Sequence, residues 1–240
     1  MAFDLEEKEG VEKEVDRIGG SYVWESGIYD CVVDMAYLEE SAGGALGLHL
    51  TLVHNDRRLR ESFYVTSGTA KGKKTTYSRE GKEFYLPGFT MARNLCLTAA
   101  GMTLQEVAKA GEKKVINLYD RAQQKEVPTE KEFVLTALVG KDVKVGVIKD
   151  VVNRRQRNAE GKYVPINEKR EENHISQFFY PTDDMTVNEK ESGLTEADFI
   201  NKWRAKNEGV DNVEYKEIPE HELPEAPAAG AANASNPFGA

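Results

Sequence analysis

Residues 27–66 read GIYDCVVDMAYLEESAGGALGLHLTLVHNDRRLRESFYVT, and this stretch decides the fold class. Three runs within it alternate between apolar and polar side chains, which is the pattern of a strand with one buried face. Short turn sequences, SAGG at 41–44 and ND at 55–56, separate the runs. Alternating runs joined by short polar turns predict an antiparallel three-stranded meander. The predicted strands are residues 27–38, 46–53 and 59–66.

The alternation also predicts which face of each strand is buried. In the first strand the buried face is expected to carry Tyr29, Cys31, Val33, Met35 and Tyr37. In the third strand Leu59, Phe63 and Val65 are expected inside, and Arg58, Arg60, Ser62, Tyr64 and Thr66 outside. The two cysteines, Cys31 and Cys96, lie in apolar contexts far apart in the sequence. We interpret both as small buried hydrophobic residues in a reducing compartment.

The rest of the chain predicts helices followed by more strands. A long connection, 67–88, precedes three predicted helices at 89–100, 103–110 and 129–138. The second and third begin with Thr-x-x-Glu capping boxes, which are Thr103 with Glu106 and Thr129 with Glu132. Strands are expected at 143–152, 163–170 and 173–180, with a basic hairpin tip at 153–162, and a final helix at 194–206. A mainly β fold with five antiparallel strands and a helix after the third has the order of the OB-fold barrel. Another antiparallel α+β sandwich would have the same order.

Charge divides the chain into a balanced body and two acidic ends. The net charge of −9 includes −4 in residues 1–17 and −6 in residues 208–240, which leaves +1 for residues 18–207. The last stretch is rich in Glu, Pro, Ala, Gly and Asn, a composition typical of disorder. We therefore predict an acidic N-terminal segment at 1–19, one domain at 20–207 and a disordered acidic tail at 208–240. No apolar run reaches membrane-spanning length, and the acidic N-terminus lacks the apolar core of a secretory signal.

No catalytic motif is found in the sequence. Hydrolase, zinc-protease, P-loop and dinucleotide-binding signatures are missing, so we expect no enzyme, no catalytic residues, no metal site and no cofactor. Asp30 and Asp34 could in principle hold a magnesium ion on one strand face, but two carboxylates have little specificity and are usually a solvated polar face. A metal-dependent nuclease is therefore kept only as an alternative.

Three segments combine cations with aromatic rings, the two ingredients that single-stranded nucleic acid requires. The third strand carries Arg57, Arg58, Arg60 and Tyr64. The long connection carries Lys71, Lys73, Lys74, Tyr77, Arg79, Lys82, Phe84 and Tyr85. The hairpin tip carries Arg154, Arg155, Arg157, Lys162 and Tyr163. Each segment alone could be an ordinary solvated loop. Together they predict a nucleic-acid-binding surface, provided that the fold brings them to one side.

Several stretches resemble bacteriophage single-stranded DNA-binding proteins of the OB-fold type. They are SGIYDCVV at 26–33, SAGGALGLHL at 41–50, NHISQFFY at 173–180, TEADFINKW at 195–203 and the low-complexity tail after it. The resemblance implies a protein that coats and protects single-stranded DNA in phage DNA replication, recombination and repair, in the host cytoplasm. It also implies that the tail recruits replication proteins such as polymerase, helicase-primase and nuclease. The tail residues concerned are Glu217, Glu220, Glu222, Glu225 and Phe238.

One departure from the family pattern concerns the tail. Many such tails end in an acidic run closed by a terminal Phe, whereas here the acids stop at Glu225 and Gly239-Ala240 follow Phe238. The alternative to DNA binding is an adaptor or structural protein that binds another protein through its loops and tail.

Overall fold

The computed structural model describes residues 23–120, 122–158 and 160–219. The strands are β1 (Gly27–Glu40), β2 (Leu46–His54), β3 (Arg57–Tyr64), β4 (Thr76–Arg79), β5 (Lys82–Tyr85), β6 (Glu112–Asp120), β7 (Lys125–Val134), β8 (Asp142–Arg157), β9 (Tyr163–Phe179) and β10 (Asn212–Val213). The helices are α1 (Pro87–Ala100), α2 (Leu104–Lys109), α3 (Val187–Glu191) and α4 (Phe199–Asn207), with one 3-10 turn at Thr69–Lys71. The mainly β class predicted from the sequence is confirmed.

The predicted meander is present, and it lies inside a five-strand run in the order β9-β8-β1-β2-β3. β1 is long enough to pair with three strands: Gly27–Val32 pairs with β8, Val32–Glu40 pairs with β2, and Tyr37–Leu38 pairs with β7. All pairs in this run are antiparallel. Between β3 and β9, the two ends of the run, the described residues form no strand ladder, so the sheet is open. The closed barrel that the prediction requires is therefore not observed.

A β-bulge in β1 changes the predicted faces of that strand. The register with β2 shifts between Val33 and Met35, so that one extra residue enters the strand. Before the bulge Cys31 and Val33 are buried as predicted and Tyr29 is half-buried, but after it Ala36 and Leu38 are buried. The placement of Met35 and Tyr37 on the buried face was therefore wrong, because a one-residue shift moves every later side chain to the other face of the sheet.

The predicted helix at 129–138 is also wrong. Residues 125–134 form β7, which pairs antiparallel with β6. The Thr129 and Glu132 pattern imitates a capping box, yet Thr129 lies opposite Ile116, and Lys113 bonds across the hairpin to Glu130 and Glu132 at 2.7 and 2.8 Å. These cross-strand pairs outweigh a local helix signal because each β strand is stabilised by its partner strand.

The connection at 67–88 is folded rather than irregular. After the 3-10 turn, β4 and β5 form a separate two-stranded hairpin that leads directly into α1. Pro87 stands in the first turn of α1, where the absent proline N–H would have no helical partner. The hairpin therefore projects from the point where β3 ends and α1 begins.

The helices at 89–100 and 103–110 are confirmed, the former ending at the left-handed Gly101 and the latter starting at the Thr103 capping box. α1 packs Leu95 and Cys96 into the main core, and Cys31 is buried there too. Burial raises the pKa of both thiols to about 12, so neither is a reactive thiolate. In the described part of the chain no helix is both long and apolar enough to span a membrane.

The final helix begins later than predicted. α4 starts at Phe199 and buries Ile200 and Trp203, while Phe199 itself is 42% exposed. A short helix, α3, precedes it and was not predicted. Glu189 of α3 accepts N–H bonds from Asp198 and Phe199 at 2.9 and 2.7 Å, so this carboxylate caps the following helix.

Residues 214–218, which belong to the predicted tail, form an extended segment along the β8–β9 hairpin, which we call the strap. β10 adds to β8 in parallel just before it. The Asn153 side chain bonds the backbone N–H and C=O of Lys216 at 2.9 and 2.7 Å, and Asn167 does the same for Ile218 at 2.7 and 2.8 Å. The first part of the predicted tail is thus attached to the sheet. The predicted disorder of residues 220–240 lies outside the described residues.

Candidate nucleic-acid interface

The solvent side of β1, β2 and β3 forms one surface, which we call the outer face. It carries Tyr37, His49, Arg58, Arg60, Ser62 and Tyr64. Pairing registers set these side chains in rows: Tyr37 lies opposite His49, and His49 lies opposite Ser62. Tyr64 lies opposite Gly47, which has no side chain to cover the ring, and Tyr64 is 52% exposed. The outer face therefore presents rings and cations from strands that are distant in sequence.

Tyr37 is the main residue of this face that sequence reasoning missed. Its ring stacks on His49 with centroids 4.9 Å apart and planes at 18°, and Lys131 Nζ lies 5.0 Å from the ring centroid. Burial raises the pKa of the Tyr37 hydroxyl with help from Glu39, and burial lowers the pKa of His49. Both rings are therefore neutral near pH 7. The adjacent valines at 32–33 break the strict alternation and were the one signal of the bulge.

At the Tyr64 end, the outer face continues into a cavity of about 840 Å³, which we call the Tyr64 cavity. The chain returns here from the β4–β5 hairpin to α1. Gly88 lets the two segments approach, because a Cβ at that position would lie 2.3 Å from the Tyr64 carbonyl oxygen. The residues that line the cavity include Tyr64, Lys71, Lys74, Tyr77, Glu83 and Met91. Two of the three predicted clusters thus meet at one site.

The cations around this site differ in how they are paired. Arg58 is 3.4 Å from Asp34 and 3.1 Å from Glu126, and Lys73 is 2.8 Å from Glu40. By contrast, the structure as described gives Arg60, Lys71, Lys74 and Lys82 no carboxylate within 4.0 Å. The remaining member of the second cluster, Arg79, is 3.6 Å from Glu80. Exposed ion pairs of this kind contribute little free energy.

The rings of the β4–β5 hairpin are exposed but support one another. Tyr77 and Phe84 pair across the hairpin with centroids 5.8 Å apart, and Phe84 is 44% exposed. Tyr85 stacks on Phe89 of α1 with centroids 4.7 Å apart, although it remains 57% exposed. Tyr85 therefore also anchors the hairpin to the body.

The third cluster lies apart from the first two. β9 runs alongside β3, since Ile175 N–H donates to Glu61 at 3.3 Å and the Phe178 ring is 5.9 Å from that of Phe63. The tip of the β8–β9 hairpin comes earlier in β9, so it extends past the Arg57 end of β3, away from the Tyr64 cavity. Arg154, Arg155 and Tyr163 line a separate cavity of about 710 Å³ there. Arg154 is paired with Glu168 at 2.8 Å, Lys162 with Glu160 at 3.1 Å, and Arg157 donates to the Gly161 carbonyl.

The carboxylates considered for a metal are held by cations instead. Asp30 is 3.4 Å from Lys144, and Asp34 is 3.4 Å from Arg58. Over residues 23–219, leaving aside the undescribed 121 and 159, no group of three His, Cys, Asp or Glu side chains is arranged to hold a metal ion. Of the tail residues, Glu217 is exposed within the strap, and Glu220, Glu222, Glu225 and Phe238 lie outside the described residues.

Comparison of the sequence with known proteins identifies no relative, so the geometry described above is the basis for proposing a function. No protein-family model matches the sequence. A search of curated proteins finds no match.

Proposed function

We propose that the chain is a non-enzymatic single-stranded DNA-binding protein that coats exposed strands without reading a sequence motif. One observation carries the proposal: the exposed Tyr64 ring lines one cavity with Lys71 and Lys74, which have no carboxylate partner among the described residues, and Arg60 lies on the same face of β3 as Tyr64. Flat rings offer stacking to any base, and cations along the path neutralise phosphates.

In the proposed mechanism, cations bind the phosphates and aromatic rings stack on the bases. Lysine and arginine side chains displace counterions from the phosphate backbone, and this release makes affinity fall with salt. A base stacked on Tyr64 contributes about 1–3 kcal/mol with little regard to its identity. The β8–β9 hairpin would meet the strand only after it passes the Arg57 end of β3, so we assign Arg154, Arg155 and Tyr163 a secondary role in binding.

The proposal includes a finer fold. We infer that β9-β8-β1-β2-β3 is a partly open barrel of the OB type, with α1 after the third strand. The Glu61 contact to Ile175 and the neighbouring Phe63 and Phe178 rings support it, because they place β9 beside β3 where closure would occur. By the same resemblance, we propose a role in phage DNA replication, recombination and repair in the host cytoplasm. The acidic tail would contact replication proteins.

A titration of fluorescently labelled oligonucleotides tests the proposal. The full-length protein should bind a mixed-sequence single strand more tightly than the matching duplex, with affinity that falls steeply between about 50 and 200 mM salt. The triple variant R60A/K71A/K74A should bind more weakly, and its log–log salt slope should be shallower by about 0.7 for each phosphate that the variant no longer neutralises. R204A, which removes an exposed cation on α4, is the matched control and should behave as the wild type.

Other outcomes reject the proposal. Absent binding at low salt, or equal affinity for single strand and duplex, excludes a single-strand binder. Partner capture without DNA binding would favour the adaptor alternative, and cleavage of the labelled strand on adding magnesium would favour the nuclease.

A further inference from the structure

The geometry points to base selection within the Tyr64 cavity: we propose that it favours bases with an exocyclic amine, cytosine over thymine among pyrimidines, through the Glu83 carboxylate. This inference rests on the proposed function. It adds a compositional bias to a surface that otherwise binds any single strand.

The walls of the cavity suit a base in size and chemistry. Leu86, Pro87 and Met91 contribute apolar surface to the lining, and Tyr64 contributes an aromatic residue. The volume of about 840 Å³ falls within the range of roughly 300–1,000 Å³ that is usual for small-molecule sites. The cavity is therefore large enough for a nucleotide base.

Glu83 is positioned as a hydrogen-bond acceptor in this cavity. On the β4–β5 hairpin it lies opposite Ser78 and lines the cavity together with Thr76. The Thr76 hydroxyl donates to Glu83 Oε1 at 2.6 Å, which orients the carboxylate. The second oxygen, Oε2, has no hydrogen bond or ion pair to any described residue. It is therefore available to a ligand donor.

The base edge determines which ligand suits this acceptor. Cytosine presents the N4 amine, a donor, whereas thymine presents the O4 carbonyl at the equivalent position, and acidic side chains accept from cytosine N4 in known readout. A carbonyl facing a carboxylate has no proton to share and repels it. Lys71 and Lys74 at the same cavity supply the positive charge that flanking phosphates need, so the carboxylate does not exclude the strand.

Binding of labelled dC20 and dT20 at pH 8, where cytosine is neutral, tests the inference. The wild type should bind dC20 about tenfold more tightly than dT20, the discrimination of one good base contact. In Glu83→Gln the ratio should fall towards one, mainly through tighter dT20 binding, because the amide offers a donor to O4. Glu80→Gln, at the exposed hairpin turn outside the cavity, is the matched control and should keep the wild-type ratio.

The two proposals fail in different ways. Equal affinity of the wild type for dC20 and dT20, with tight binding to both, overturns base selection and leaves strand binding intact. A preference that persists in Glu83→Gln also overturns it, since the preference would then arise elsewhere. Failure to bind either oligonucleotide rejects the proposed function itself.

Discussion

At the scale of the residue, the rings near the outer face differ in what holds them. Tyr37 is stacked on His49 beneath Lys131, and Tyr85 rests on Phe89. Tyr64 has only Gly47 opposite it and is half exposed, so its face is open to a base. An open ring gains more from stacking than a ring that already has a partner. Under the proposed function, Tyr64 is therefore the stacking residue on which affinity should depend most.

Two substitutions of Tyr64 distinguish the contribution of the ring to binding from that of the hydroxyl. Tyr64→Ala is expected to weaken single-strand binding by about 1–3 kcal/mol, the range of one stacked base. Tyr64→Phe keeps the ring and should bind almost as the wild type does. Oligonucleotide titration at constant salt measures both, and circular dichroism checks the fold. Equal losses for the two variants would assign the effect to the hydroxyl and contradict the stacking role.

At the scale of the element, the strap shows how side chains fix an irregular segment. Asn153 and Asn167 each bond both backbone groups of one strap residue, as a neighbouring strand would. Lys169 Nζ also lies 5.4 Å from the centroid of the Tyr215 ring. The segment thus needs no apolar pattern of its own, which is why its composition predicted disorder.

Removing both asparagine side chains should release the strap while the sheet stays folded. In the double variant N153A/N167A, the amide protons of Lys216 and Ile218 should exchange faster, because each loses its acceptor. The loss in unfolding free energy should be modest, about 0.5–1.5 kcal/mol for each hydrogen bond at most. Hydrogen exchange followed by mass spectrometry measures this, with N201A on α4 as control. Unchanged protection at 216–218 would show that other contacts hold the strap.

At the scale of the whole molecule, the open edge between β3 and β9 is joined by side chains. Glu61 accepts N–H bonds from Ser62 at 3.1 Å and Ile175 at 3.3 Å, so its carboxylate connects the two ends of the five-strand run. Burial raises the pKa of Glu61, and the two backbone hydrogen bonds offset this only in part. The folded state therefore favours the protonated form of Glu61 more than the unfolded state does.

The raised pKa of Glu61 predicts the direction in which stability changes with pH. The stabilising contribution of Glu61 to the free energy of unfolding is fully present below its ordinary pKa of 4.5. This contribution is lost as the pH rises through the higher pKa of the folded state. Glu61→Gln cannot titrate, so its unfolding free energy relative to the wild type should increase from pH 4 to pH 7. Urea denaturation across this range measures the difference.

The control for this pH profile is a carboxylate shifted the other way. Hydrogen bonds from Thr103 lower the pKa of Glu106 at the start of α2. Glu106→Gln should therefore lose stability relative to the wild type as the pH rises from 3 to 6, since the wild type gains there and the variant does not. If the difference in unfolding free energy between Glu61→Gln and the wild type did not change with pH, this would contradict the desolvation of the carboxylate at the β3–β9 edge.

What the sequence by itself determined is local. The β1–β2–β3 meander, the burial of Cys31 and Cys96, the end of α1 at Gly101 and the start of α2 at Thr103 all follow from patterns within a few residues. Alternation identifies a strand because successive side chains point to opposite faces. A capping box or a terminal glycine acts on its own helix. Such signals need no knowledge of the partner element.

Only the tertiary structure decided which surfaces meet. The β1 bulge places Tyr37 on the outer face. Pairing with β6 makes residues 125–134 a strand, although part of their sequence resembles the start of a helix. The side chains of Asn153 and Asn167 bind the strap. The return of the chain past Gly88 brought the cations of the 67–88 segment to Tyr64, while the β8–β9 hairpin carried the third cluster away. Strand pairing and the meeting of distant segments depend on interactions summed over the whole fold, and periodicity within one segment contains no record of them.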